Sequence, residues 1–335
     1  MSEISNQTVD GLMPLIQLLA DGGVHSGEDL GAAMGISRAA VWKQLKKLES
    51  IGLQVESVKG VGHRLVKAID LLDHHALQGA LSGIAGVSIF NSIDSTNAHV
   101  GQVLRAGLDA SATFLCAAEM QTAGRGRRGR AWVSPFAGNL YFSYGFTTAR
   151  GVACYEGLSL AVGVEIVGVL TRLLGDVGFS LKWPNDILFD GRKLGGILIE
   201  VDGDFAGACN LVVGVGINHH MPADDGAVID QPWVDLQQIA RSAGQVLPSR
   251  TVLLVEFAKA LAKLAEVYPE AGFKSYRQAW QNLDCHRDQP VSVHTGVTTT
   301  QGIALGVDDQ GALRLLADGE EQIFSGGEVS LRSSE

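Results

Sequence analysis

The densest run of chemically capable residues is Gly124-Arg125-Gly126-Arg127-Arg128-Gly129-Arg130, with Trp132 just beyond it. Three glycines let backbone N–H groups approach an anion closely, and four guanidiniums neutralise phosphates through paired hydrogen bonds. So much like charge should keep the loop mobile until a polyanion orders it. The spacing also satisfies G-x-G-x-x-G, but a dinucleotide fingerprint opens a helix and is followed by an acid about 20 residues on. Here the run meets Pro135 and Gly138, and no Asp or Glu lies between Arg130 and Glu156. A basic nucleic-acid tract is the competing reading, yet the run lacks interleaved aromatics.

A second cluster is Lys182-Trp183-Pro184-Asn185-Asp186, followed closely by Arg192-Lys193-Leu194-Gly195-Gly196. Asp186 is a hard oxygen ligand that suits magnesium held against phosphates. Lys193 suits charge developing on a carboxyl–phosphate linkage. A purely structural turn is the alternative for the pentapeptide. Asp94-Ser95-Thr96-Asn97 follows an apolar strand, residues 87–90. Ser95 or Asp94 can cap a helix starting near Asn97, and the same hydroxyls and amide suit a small ureido or amide ligand. Gly214-Val215-Gly216-Ile217-Asn218 reads as a strand whose glycines pack closely and whose end delivers an amide.

Other candidates carry less. Cys116, Cys154, Cys209 and Cys285 form no C-x-x-C pair, so neither zinc nor a disulfide framework is expected, and all four read as buried reduced thiols. The adjacent pairs His74-His75 and His219-His220 lack an acid–histidine helix motif and read as surface residues.

The elements that must position these residues fall into three textures within 335 residues. Net charge is −10, with 46% hydrophobic and 19% charged residues, which excludes wholesale disorder and a generally basic nucleic-acid coat. No apolar run approaches the ~20 residues of a membrane span, and residues 1–10 show no signal-peptide pattern, so the expected location is the cytoplasm.

Up to residue 67 the pattern is a winged helix-turn-helix. Leu12, Leu15, Ile16 and Leu19 form one helical face, and Ser26 starts a second helix that Gly35 ends. Ser37 caps a third carrying Ala40, Val41, Leu45 and Leu48, and two strands flank Lys59-Gly60-Val61-Gly62 as a wing. Residues 36–67 hold seven basic side chains against two acids, a local +5 that matches a phosphate-contacting face.

The middle region interleaves strands near 114–119, 140–146, 187–189, 195–201 and 211–217 with helices near 158–174 and 252–268, irregularly enough to indicate a mixed sheet. In the tail Val291, Val293, Ile303, Leu305, Val307, Leu313 and Leu315 recur at period two between tight turns, which predicts about five strands in a small barrel.

Taken in order, these motifs, with residues 192–200 and 326–332, resemble the bifunctional biotin–protein ligase and biotin-operon repressor family over essentially the whole chain. The resemblance implies an α+β multidomain fold. Its parts are a winged helix-turn-helix (1–67), a mixed-sheet catalytic domain (68–283) and an SH3-like β-barrel (284–335). It implies that biotin's carboxylate attacks the α-phosphate of ATP with magnesium assistance. A lysine of the biotin carboxyl carrier protein of acetyl-CoA carboxylase then displaces AMP.

By matching positions, Ser95, Thr96, Asn97, Gln121, Arg125, Gly126, Arg127 and Lys193 contact biotin and the adenylate. Arg125, Arg128, Arg130, Trp132, Asn218 and Trp233 lie on the nucleotide side, and Lys193, Arg127 and Asp186 carry the chemistry, Asp186 as the magnesium candidate. Ser37, Arg38, Trp42, Lys43, Lys46, Lys47, Lys59 and Arg64 are the operator-facing set. In the family the adenylate favours a homodimer that binds operator DNA, while the monomer meets the carrier. Two rivals stay open: a biotin sensor with an inactive ligase domain, and a ligase whose winged helix is only structural. A lipoyl ligase fits less well, given the arginine-rich loop and the winged helix.

Overall fold

The structure, a computed structural model, describes residues 6–107, 112–203, 207–295, 298–325 and 329–333. Residues 326–328, which open the expected C-terminal motif, lie outside the described residues.

The N-terminal unit forms where caps and apolar spacing agree. Helix α1 (Asn6–Leu19) buries Val9, Leu12, Leu15, Ile16 and Leu19. Helix α2 (Gly27–Met34) starts at Ser26, whose hydroxyl oxygen accepts the Asp29 N–H at 3.0 Å, and ends at Gly35 with φ of 67°. Helix α3 (Arg38–Leu48) is capped by Ser37 and packs Val41, Leu45 and Leu48 inward. Strands β1 (Val55–Val58) and β2 (Gly62–Leu65) pair antiparallel as the wing. His25 and His63 exchange backbone hydrogen bonds of 2.9 and 2.8 Å, which fasten the wing to the start of α2.

After helix α4 (His74–Ala80) the chain builds a seven-stranded sheet from β3 (Gly86–Phe90), β4 (Thr113–Ala118), β5 (Asn139–Thr148), β6 (Phe179–Lys182), β7 (Asp186–Phe189), β8 (Arg192–Gly203) and β9 (Cys209–Asn218). Its order is β3-β4-β5-β9-β8-β7-β6. Only the β3–β4 pair is parallel, so the sheet is mixed. Helix α5 (Thr96–Arg105) covers one face, where Val100 and Leu104 meet Cys116, Ala118 and Val212. Helices α6 (Leu158–Leu174) and α9 (Arg250–Ala271) cover the other, over Leu115, Ala117, Phe142 and Val213. Three short helices complete this unit: α7 (Ala223–Gly226), α8 (Leu236–Ser242) and α10 (Arg277–Leu283).

Contrary to the sequence expectation, Val152–Leu174 is long and apolar enough to cross a membrane by length and composition. Its α6 part buries ten residues in the core, so that apolarity is spent on packing. Two further expectations change. His219 is buried, with Nε2 bonded to the Pro248 carbonyl at 2.9 Å, and is no surface residue. Burial lowers its pKa, so the ring is held neutral. Cys154 is exposed, unlike the buried Cys116 and Cys209.

The tail forms an antiparallel five-stranded sheet from β10 (Pro290–Thr295), β11 (Thr298–Val307), β12 (Leu313–Ala317), β13 (Glu320–Phe324) and β14 (Val329–Ser333). Its order is β13-β12-β11-β10-β14. The period-two pattern breaks inside β11. A register shift between Ala304 and Val307 puts Ala304 inside and leaves Ile303 partly exposed. Val291, Val293, Leu313 and Leu315 join the central core, and the Trp183 indole N–H donates to the Gly311 carbonyl at 3.0 Å.

The winged helix is equally fused to its neighbour. Phe136 and Ala137, from the segment before β5, belong to its apolar core. The chain leaving the wing is held by a buried ion pair between Glu119, just past β4, and Arg250, the first residue of α9. Glu119 accepts the Leu72 N–H at 2.7 Å, and Arg250 donates to the carbonyls of Asp70 and Asn139 at 2.9 Å each. Removing one member of such a pair strands the other charge in the core. Glu119→Ala should destabilise the protein by about 3–5 kcal/mol, read as a lowered thermal midpoint. An unshifted midpoint would show that this clamp carries no weight.

Candidate functional site

One cavity of about 1100 Å³ opens where α5 begins, β9 ends and the arginine-rich loop folds over the sheet. Every residue expected to touch vitamin or nucleotide borders it.

At one end the helix start does the positioning. Ser95 caps α5 by accepting the Ala98 N–H, which leaves its hydroxyl proton for a ligand. The Thr96 N–H and hydroxyl both donate to the Gln121 side-chain oxygen, at 2.9 and 3.1 Å. Gln121 in turn donates to Ser134 at 3.3 Å. Asn97 is committed differently. Its amide donates to Glu200 at 2.8 Å and the Leu198 carbonyl at 3.3 Å, and its oxygen accepts from Ser143 at 2.5 Å. It faces the cavity as a brace more than as a free hydrogen-bonding group. The glycines of β9 make this possible. A Cβ on Gly214 would sit 2.1 Å from the Asn97 side-chain oxygen, and one on Gly216 would sit 2.6 Å from the Trp132 ring.

The arginine-rich loop differs from the mobile coil its charge predicts. The Gly126 N–H donates to the Arg130 carbonyl at 2.7 Å and the Trp132 N–H to the Gly124 carbonyl at 2.9 Å, closing a folded loop. Arg128 adopts a left-handed backbone, φ 57°. Repulsion is met by pairing: Arg125 bonds Glu200 at 3.1 Å, and Arg127 reaches the Asn185 side-chain oxygen at 3.4 Å. Burial and the neighbouring Arg128 charge pull the Arg127 pKa below its usual value, opposed by Asp186. An unfavourably placed cation of this kind gains from an arriving anion.

Lys193 and Asp186 form a half-buried ion pair of 2.8 Å, with the ammonium 5.6 Å from the Trp132 ring centroid. The Lys193 backbone is pinned by the Pro232 carbonyl at 2.9 Å and the Val234 N–H at 3.0 Å. Asn218 reinforces this by donating to the carbonyls of Lys193 and Val234, at 3.4 and 3.1 Å. Trp233 spends its indole N–H on the Gly226 carbonyl at 3.0 Å, whereas the Trp132 indole N–H is buried without a partner. The acids bordering the cavity are Asp186 and Asp230, and among the described residues no group of three or more His, Cys, Asp or Glu gathers. That donor set suits a magnesium ion carried by phosphates.

Three bracing residues escaped the sequence reading: Ser143, Ser134 and Glu200. Ser143 is a buried hydroxyl within the aromatic stretch of β5 and lies within hydrogen-bond distance of both the Thr96 hydroxyl and the Asn97 side-chain oxygen, while Glu200 directly follows the apolar residues 197–199 of β8. Both anomalies were visible signals. On the winged helix, Arg38, Lys43, Lys46, Lys47 and Lys59 are exposed and Trp42 is 52% exposed. Two expected members are engaged elsewhere: the Ser37 hydroxyl caps α3, and Arg64 pairs with Glu56 at 2.7 Å.

Three family models match in chain order. They are an HTH domain over residues 14–64, the Biotin/lipoate A/B protein ligase family over 89–218, and the Biotin protein ligase C terminal domain over 286–332. The bifunctional ligase/repressor BirA of Salmonella typhimurium is 42% identical over 327 residues, covering 96% of this chain and 98% of that protein. Its Escherichia coli counterpart is 41% identical with the same coverage. The structure of the biotin protein ligase from Aquifex aeolicus in complex with biotin and ATP matches with a TM-score of 0.61 at 26% identity, over 74% of this chain and 99% of that one. The chain belongs to the biotin protein ligase family, and its helix-turn-helix ahead of the ligase fold gives it the bifunctional ligase/repressor layout.

Because Trp132 lies against bare strand, Gly216→Val should push the indole outward and weaken nucleotide binding by about tenfold or more. Titration calorimetry and acrylamide quenching of tryptophan emission check this together. Unaltered quenching with unaltered affinity would refute the close-approach account.

Proposed function

We propose that this cavity joins biotin to AMP and then hands biotin to a lysine of the biotin carboxyl carrier protein, with the residues above in distinct roles. The observation that carries the assignment is the convergence of Arg127, Lys193 and Asp186 on one cavity whose far end presents Ser95, Thr96 and Gln121. A biotin carboxylate oxygen bonds to the α-phosphorus of ATP as the bond to pyrophosphate breaks. The carrier amine then attacks the acyl carbon, and AMP leaves with the former carboxylate oxygen.

Ser95, Thr96 and Gln121 hold the biotin head group, with Asn97 bracing them. Arg125, Gly126 and Arg127 close over the acyl phosphate. Lys193, released from Asp186 when anionic substrate enters, neutralises charge on the transferring phosphoryl group. Arg128 and Arg130 meet the outer phosphates, and Trp132, Asn218 and Trp233 wall the nucleotide side. Asp186 would hold magnesium arriving with the nucleotide, which would draw charge from the phosphates.

The same reading divides the chain at about residues 67 and 283 and places it in the cytoplasm. It makes the adenylate-bound homodimer the operator-binding form, since a ligand shifts assembly only through its differential affinity for the two states. The exposed cations on α3 and at Lys59 support operator contact.

Incubation with ATP, biotin and carrier tests the proposal; retained operator binding without biotinylation would leave only a sensor. Lys193→Ala should slow adenylate formation more than about tenfold, a loss of over ~1.4 kcal/mol in transition-state stabilisation. Single-turnover rates close to the parent's would count against it. Arg127→Gly should release adenylate faster and label bystander lysines; unchanged adenylate dissociation would exclude a retaining role.

A further inference from the structure

The operator-facing helix carries one residue that phosphate contact does not explain. Val41, Leu45 and Leu48 form the buried side of α3. At 100° per residue the outward side is then Ala39, Lys43, Lys46 and Lys47, with Trp42 on its flank. Ala39, Lys43 and Lys46 are exposed, and Trp42 shows half of its surface to solvent. A single exposed apolar side chain is ordinary on a protein surface; this one stands out because the outward long side chains beside it are all cations.

Its orientation is set. The Lys46 ammonium lies 3.8 Å from the Trp42 ring centroid, one helical turn along. A cation–π contact at that distance holds one face of the ring and limits the rotamers of both side chains. Even so, about half of the residue's surface stays open to solvent. In a duplex the bases are stacked, so an indole on a groove-facing helix meets their edges and not their faces. The one apolar group on those edges is the C5-methyl of thymine in the major groove. Trp42 is also the fifth residue of α3, within the N-terminal half of the helix, the part that reaches base edges in helix-turn-helix proteins. Lysines contacting phosphate position the protein without specifying sequence.

We propose that Trp42 is the base-reading residue of this winged helix, taking a thymine methyl in each half-site, while Lys43 and Lys47 supply sequence-independent phosphate contact. The assignment rests on the repressor reading and adds to it what is read. It predicts an operator preference governed at one position by an apolar contact, insensitive to salt, on top of a salt-sensitive background.

The test uses the full-length protein with biotin and ATP present. Duplexes are selected from a random-sequence pool, and each thymine of the selected sequence is replaced in turn by deoxyuridine, which removes only the methyl. One replacement per half-site should weaken binding by about fourfold, the transfer of a single methyl group out of water. Trp42→Ala should bind the thymine and deoxyuridine duplexes equally, and its own selected pool should lose that thymine. Lys43→Ala should weaken every duplex alike and reduce the salt slope by about one. If the parent selects a sequence yet tolerates deoxyuridine throughout, or Trp42→Ala keeps the thymine preference, Trp42 is not the reader and the repressor function stands. If the parent selects no sequence, operator reading itself fails, and this assignment with it.

Discussion

The site depends on a bare stretch of backbone. Along β9, Gly214 and Gly216 present no side chain on the face where Asn97 and Trp132 lie, and each approach is closer than a methyl group allows. Because side chains alternate across a strand, both glycines point the same way and Val215 points into the core. The helix that carries Ser95, Thr96 and Asn97 and the loop that carries the arginines are thus laid on one sheet surface. The cavity between them is the space that remains.

Charge follows the same economy of placement. Three of the cations lining the cavity have a protein partner: Arg125 with Glu200, Lys193 with Asp186, and Arg127 with Asn185. These contacts are single hydrogen bonds or simple pairs, and incoming phosphate offers guanidinium a bidentate and fully charged alternative. On the proposed function, ligand entry is an exchange of partners inside a framework that already exists, and the folded arginine loop fits that picture better than a coil awaiting order.

Much of this was legible in the chain. Ser26, Ser37 and Gly35 announced the helix-turn-helix because capping is local chemistry, decided by side chains adjacent to the backbone groups they satisfy. The long strands β5 and β9 were legible because apolar runs of that length have few other uses. What was hidden is non-local. Arg64 looked like a free cation until the wing register set it opposite Glu56. His219 looked exposed until Pro248 came to cover it. The loop looked mobile because summed charge says nothing of a carboxylate 75 residues away in sequence. In β11 an alternation of apolar residues misled, since the register shift near Gly306 moves the inward set by one position.

The sharing of Phe136 and Ala137 with the winged-helix core has an evolutionary consequence. Three residues separate Trp132, which lines the cavity, from a phenylalanine sealed inside the DNA-binding unit. A recombination event that exchanged one unit for a foreign one would leave that phenylalanine in water and slacken the strap that ends at Trp132. In this chain a replacement for either half would therefore have to offer the same apolar seat for Phe136 and Ala137.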